Sequence, residues 1–362
     1  MTTTPIAEDP RWFEIGRLLV HEATRVSAGE RVMIAMGEAD SFPLARGVYE
    51  ACIRAGAFPQ IQFLSETMRE SLLRFGTDEQ LSWVPEIESY GMEWADVYIA
   101  LRGGFPLDIH AGIPTERLAA NQVAQGVISS LRWKHTRWSL VRVPNQAFAD
   151  QAGSSLDEVT EMFFKACLLD SDAARREWQG WVDNIHNARS VQILGRGTDL
   201  RFSIEGRTWA VAAGGINIPD GELMTAPVTE TVDGVIEFEN PAVFGGRLIE
   251  GVKLRWDHGT LVEATASTNE DFLRTVLATD AGASAIGEFG IGTNPHIDRF
   301  FNDILIDEKI AGTVHIALGR AYPECGGTNV SAIHWDIVKD LRTEGSVLID
   351  GRTVLERGVY SF

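Results

Sequence analysis

Three cysteines in 362 residues are too few for a disulfide framework. Cys52, Cys167 and Cys325 also lie too far apart for a Cys-x-x-Cys metal or redox motif, so a reducing compartment is implied. Positive charge is scarce too: 32 Lys and Arg against 51 Asp and Glu give a formal net charge of −19. That balance argues against nucleic acid or an anionic membrane surface as the main partner. It is compatible with a carboxylate-rich site that attracts cations. No apolar run reaches transmembrane length. The opening Met1-Thr-Thr-Thr-Pro5, followed by Glu8 and Asp9, has no basic n-region and no apolar h-region, so no secretory signal is read there. The expectation is a cytoplasmic protein with neither a membrane nor a nucleic-acid partner.

Several enzyme signatures are missing as well. The glycine cluster Gly195-Arg-Gly197-Thr-Asp-Leu200 lacks the third glycine of a dinucleotide fingerprint and is followed by strand-like sequence, so it reads as a hairpin turn. In His21-Glu22-Ala23-Thr24-Arg25, an arginine stands where a zincin helix needs its second histidine. There is no Gly-x-Ser-x-Gly nucleophile elbow.

What is present is a regular alternation. Strand-like runs at 31–36, 58–64, 96–101 and 138–143 are separated by helical patterns at 11–27, 41–55, 66–75, 78–91 and 114–129. This is the pattern of an open, mostly parallel sheet covered by helices. A helical stretch at 154–187 follows, and the character then changes to short, glycine-punctuated strands, interrupted by one helix near 269–280. The expected architecture is α/β. An N-terminal, mostly parallel α/β domain (1–185) precedes a β-rich α+β metal-binding domain (186–362).

The chemistry gathers in the second half. In the strand-like run around His315, alternation puts His315 on one face with Thr313 and Ala317, and Val314, Ile316 and Leu318 on the other. In Ile333-His334-Trp335-Asp336-Ile337, His334 and Asp336 point together. One such histidine is commonly a core residue, whereas two with an aspartate at strand spacing suggest a metal cage. Glu222, after the turn Pro219-Asp220-Gly221, and Glu288, in Gly287-Glu288-Phe289-Gly290, lie among apolar and glycine neighbours. An ionised carboxylate there is costly unless paired or bound to metal. Glu308 in Ile306-Asp307-Glu308-Lys309 fits either a ligand or a surface turn. Tyr322 follows closely after His315. Four carboxylates match the charge of two divalent cations, and mixed nitrogen and oxygen ligation without thiolate suits Zn, Co or Mn. Residue types and spacing thus lead to a metallohydrolase. A non-catalytic metal-binding protein needs only the cage and stays open at this point.

These residues also carry a resemblance. Glu222 in PDGE-x-x-TAP, Glu288 in GEFGIGTNP, His315 in HIALG, Tyr322 in AYPE and His334 with Asp336 in IHWD resemble the M29 metallopeptidases, the aminopeptidase T and aminopeptidase S family. The resemblance implies a two-domain homodimer whose second domain holds a dinuclear Co, Zn or Mn site. By motif match, Glu222, Glu288, His315, His334 and Asp336 are its ligands, with Glu308 as a further one. The longer link from Glu308 to His315 is a departure from the family pattern. Tyr322 serves as ligand or transition-state donor, and Glu222 or Glu288 as proton carrier. The implied activity removes the N-terminal residue of a peptide by means of a metal-activated hydroxide. Relatives of the family leave alternatives: an aminohydrolase acting on a small aromatic amine, or a ring-cleaving dioxygenase.

Overall fold

The computed structural model describes residues 9–131 and 136–362. The opening segment read above for a leader lies outside them. The chain separates into two compact units, one comprising Met1–Leu168 with Gly214–Pro219 and the other Leu169–Ala213 with Asp220–Phe362. The break falls at Leu168 and Leu169 rather than at 185. Helix Ser171–Ile185 buries Ala174, Trp178, Val182 and Ile185 in the core of the second unit.

In the first unit, strands Phe58–Leu64, Arg31–Gly37, Val97–Gly103, Arg137–Val143 and Asn217–Ile218 lie side by side in that order, all parallel. The inner strands are apolar on both faces because both faces are covered. Val32, Ile34, Val97, Ile99 and Leu101 pack into one hydrophobic cluster, and the alternate residues Met33, Ala35, Tyr98 and Ala100 into another. Helices Arg11–Leu18 and Phe42–Arg54 cross at glycines. A Cβ on Gly16 would lie 2.4 Å from the carbonyl carbon of Gly47, so the backbones meet without intervening side chains.

The second unit holds two large antiparallel sheets and a two-stranded one, Ala242–Phe244 with Arg247–Ile249. The larger runs Thr260–Thr265, Lys253–Asp257, Asp233–Glu237, Thr198–Ser203, Ser190–Gly195, Ser346–Ile349, Arg352–Glu356 and Val359–Tyr360. The turn read at Gly195–Leu200 does join a hairpin, with Gly195 opposite Thr198. The smaller sheet runs His334–Asp340, Thr313–Gly319, Ile286–Gly292, Glu222–Thr225 and Ala210–Ala212. Its inward face supplies Leu223, Phe289, Ile291, Val314, Ile316, Leu318, Trp335 and Ile337 to a core shared with Val191, Ile193, Leu200 and Phe202 of the larger sheet. The rings of Phe202 and Phe289 meet edge to face at 5.3 Å. Tyr360 fastens the end of the smaller sheet: its hydroxyl accepts from the Gly312 amide at 2.6 Å and donates to the Gly292 carbonyl.

Candidate metal centre

Because strand residues alternate between faces, burying Val314, Ile316 and Leu318 in the core turns His315 to the opposite face. The same parity sends Glu288, Glu222, His334 and Asp336 there, from three neighbouring strands. Register sets the rows. Ala317 pairs with both Glu288 and Asp336, so a small residue separates the two carboxylates. Gly290 pairs with His315, and a Cβ on Gly290 would lie 2.0 Å from the imidazole Nε2. The ring lies directly over the glycine, which fixes its place in the sheet face.

The structure brings the six expected ligand residues together. Glu222, Glu288 and His315 form one group, Glu288, His334 and Asp336 a second, and Glu308, His315 and Asp336 a third. In each, three ligand atoms lie within 4.8 Å of one another. Glu288, His315 and Asp336 each belong to two groups, so the three merge into one cluster. His315 Nε2 lies 3.5 Å from Glu222 Oε2 and 3.5 Å from Glu288 Oε1. His334 Nε2 lies 3.3 Å from Glu288 Oε2 and 3.4 Å from Asp336 Oδ2. The other nitrogen of His334, Nδ1, bonds to the Arg320 carbonyl at 2.7 Å, which orients the ring so that Nε2 faces the carboxylates. Tyr322 packs edge-on against the His334 ring, with centroids 4.9 Å apart. Glu308 is buried at the end of the short helix Ile304–Asp307, not on a surface turn.

Sequence reasoning missed Lys309. It is fully buried, with Nζ 2.6 Å from Glu222 Oε1, 2.6 Å from Glu308 Oε1 and 3.8 Å from Asp220 Oδ1. Beside Asp307 and Glu308, a lysine reads as part of a solvated charged turn. The overlooked signal is its apolar bracket of Ile304-Leu305-Ile306 and Ile310. Lys309 also revises the charge count, since its ammonium offsets one of the four carboxylates.

The electrostatics are those of ionisable groups forced together out of water. Burial, with Glu308 and Glu288 adding to it against the pull of Lys309, raises Glu222 to about 7. Burial alone would also raise Glu288, but His315 and His334 outweigh it and hold this carboxylate at about 2. The imidazoles respond in reverse. Burial would lower them, yet the carboxylates win, Glu288 first for His315 and Asp336 first for His334, and lift each to about 9. Glu308 and Asp336 are raised chiefly by burial. Tyr322 is raised by burial and then by Glu288 and Asp336, so its hydroxyl keeps its proton.

The donor set fits divalent cations. Both ring nitrogens of His315 and the Oε2 of Glu222 are buried without a hydrogen-bond partner. Buried polar atoms are normally satisfied, and cations between these atoms would satisfy His315 Nε2 and Glu222 Oε2. Oxygen and imidazole donors without thiolate suit Zn, Co or Mn rather than a thiolate-type structural zinc.

Fold and site together define a metal-dependent hydrolase of α/β architecture. The model of the family described as thermophilic metalloprotease (M29) matches residues 11–357, and the chain belongs to that family. It is 28% identical over 349 residues to aminopeptidase T of Thermus thermophilus, covering 86% of this chain and 85% of that protein. It is 26% identical over 373 residues to aminopeptidase 2 of Geobacillus stearothermophilus, covering 86% and 88%. Among solved structures, wild-type AmpT from Thermus thermophilus aligns with a TM-score of 0.85 and 25% identity over 97% of this chain and 99% of that one. A 2,5-dihydroxypyridine dioxygenase from Pseudomonas putida aligns with a TM-score of 0.58 and 15% identity over 97% and 96%, and shares the fold.

Proposed function

We propose that this chain is an aminopeptidase that removes the N-terminal residue of peptides, using two divalent cations of the Co, Zn or Mn type. The observation that carries the reading is the set of orphaned donors, His315 Nε2 and Glu222 Oε2, buried among three further carboxylates and a second imidazole. Glu222, Glu288, Glu308, His315, His334 and Asp336 would hold the cations, and the two oxygens of Glu288 face the two different histidines. Such ions lower the pKa of water toward neutrality and polarise a carbonyl.

The chain's own groups supply the rest. Tyr322 keeps its proton and sits against His334, which suits it to donate a hydrogen bond to the oxyanion of a tetrahedral adduct. Glu222 or Glu288 passes the proton to the leaving amine. The cations would recognise a free, uncharged α-amine next to the scissile carbonyl, which favours removal of terminal residues. The relatives named aminopeptidases support the same assignment. Among the described residues no helix is long and apolar enough to cross a membrane. A cytoplasmic homodimer is part of this reading, and light scattering tests the dimer.

The deciding experiment uses one metal-loaded sample and two substrate sets. Leucine or phenylalanine anilides and short peptides are expected to be cleaved, with at least roughly a tenfold loss on N-acetylation, equivalent to about 1.4 kcal/mol. Inactivity on every free-amine peptide, together with ammonia release from an electron-poor aminoarene, would replace the peptidase by an aromatic aminohydrolase.

A further inference from the structure

Lys309 is the cation of this cluster, and the proposed chemistry gives it no task. A lysine is almost never fully buried unless paired, and this one is paired with ligand carboxylates from two different elements. Glu222 opens strand Glu222–Thr225, and Glu308 ends helix Ile304–Asp307. The ammonium meets a single oxygen of each, Oε1 in both cases, at 2.6 Å. The second oxygen of Glu222, Oε2, has no hydrogen-bond partner and lies 3.5 Å from His315 Nε2, which has none either. Glu222 is therefore divided between a fixed cation on one side and a space bounded by unsatisfied donors on the other. One carboxylate oxygen of Glu308 lies within 4.8 Å of ligand atoms of His315 and Asp336.

The backbone of Lys309 is held as firmly as its side chain. Its amide donates to the Ile306 carbonyl, and its carbonyl accepts from the Asn294 amide. A compact ammonium with three donors can serve Glu222, Glu308 and the more distant Asp220 from one point, which a planar guanidinium cannot.

We infer that Lys309 is a positioning residue that holds Glu222 and Glu308 by one oxygen each, so that each carboxylate offers a cation only its other oxygen. The consequence for catalysis is a coordination position left free for substrate, which distinguishes a catalytic metal site from a closed structural one. This inference rests on the metal reading above. Without the ammonium, both carboxylates are free to turn and bind through two oxygens, filling that position.

Cobalt(II) tests this without substrate, because its visible absorption is strong in four- and five-coordinate sites and weak in six-coordinate ones. The full chain and its Lys309→Met variant are each loaded with cobalt, and uptake is measured by elemental analysis. The variant is expected to bind cobalt and lose visible intensity relative to wild type. Its kcat on a leucine anilide should fall more than its KM changes. An unchanged spectrum in folded, cobalt-loaded Lys309→Met overturns the inference. If that variant does not fold, a crystal structure of the cobalt-loaded wild type decides instead. Nζ still on Oε1 of Glu222 and Glu308 supports the role, and either carboxylate bound through both oxygens overturns it. Wild type that takes up no cobalt overturns this inference and the metal reading together. Cobalt uptake without peptide cleavage overturns only the peptidase assignment, and the spectrum still judges Lys309.

Discussion

Two residues of the site separate placement from chemistry. Gly290 does its work by having no side chain, since a Cβ there would occupy the space of the His315 ring. Gly290→Ala should displace the imidazole, lower bound metal measured by elemental analysis, and cost roughly 1–3 kcal/mol in unfolding experiments, the usual penalty of overpacking. Gly126→Ala is the control, because a Cβ at Gly126 meets nothing within 4 Å. Tyr322 should behave in the opposite way. Tyr322→Phe keeps the ring against His334 but removes the hydroxyl, so metal content should hold while kcat falls about 10²–10³-fold, the scale of a lost oxyanion donor. Wild-type turnover in that variant would reduce Tyr322 to packing.

At the scale of elements, the first sheet is tied at its entrance by Arg31 and Asp96. The Arg31 amide and Nε both donate to Asp96 Oδ2, and Nη2 donates to Oδ1 at 2.9 Å. The Arg31 side chain, with its amide, depresses the Asp96 carboxyl to about 2. A folded value below the unfolded one, about 3.9, means the pair stabilises the fold above that pH. The contribution is lost as pH falls toward 2. Because the pair is part-exposed, the effect is small, ~0.2–1 kcal/mol. The stability gap between wild type and Asp96→Asn, measured by denaturant titration, should therefore close on acidification across this window and stay constant above it. Strands such as 31–37 were legible from sequence because burial on both faces writes a continuous apolar run. Breaks within helices were less so. The helical pattern at 78–91 is two helices, Asp78–Ser82 and Glu86–Trp94, since Pro85 holds the residue before it out of helical backbone. The pattern at 154–187 is likewise two, with Asp170 capping the second through the Ala173 amide. His315, His334 and Asp336 could be placed on strand faces by alternation alone. Lys309 could not be, because its burial is decided by Glu222, which lies far away in sequence and adjacent in space.

For the whole molecule, the proposed ligands all lie in the second unit, so metal should stabilise the two units unequally. A bound ion adds ~2.7 kcal/mol when its free concentration is about 100 times Kd. Chelation should accordingly speed amide hydrogen exchange in Ile286–Gly292 and Thr313–Gly319 and leave Arg31–Gly37 and Val97–Gly103 as they were. Equal acceleration throughout would mean that the units unfold as one. The hydroxyl of Tyr360, joined to Gly292 and Gly312, has a consequence in time. It closes the ends of the two strands that present Glu288 and His315, yet it is made after every one of the six proposed ligands. Strand Ser346–Ile349, which pairs with Ser190–Gly195 at the far end of the same unit, is also made after them. On the ribosome, therefore, the donors emerge before the structure that fixes them. Over that interval the four carboxylates stand in the chain without the closure that Tyr360 supplies.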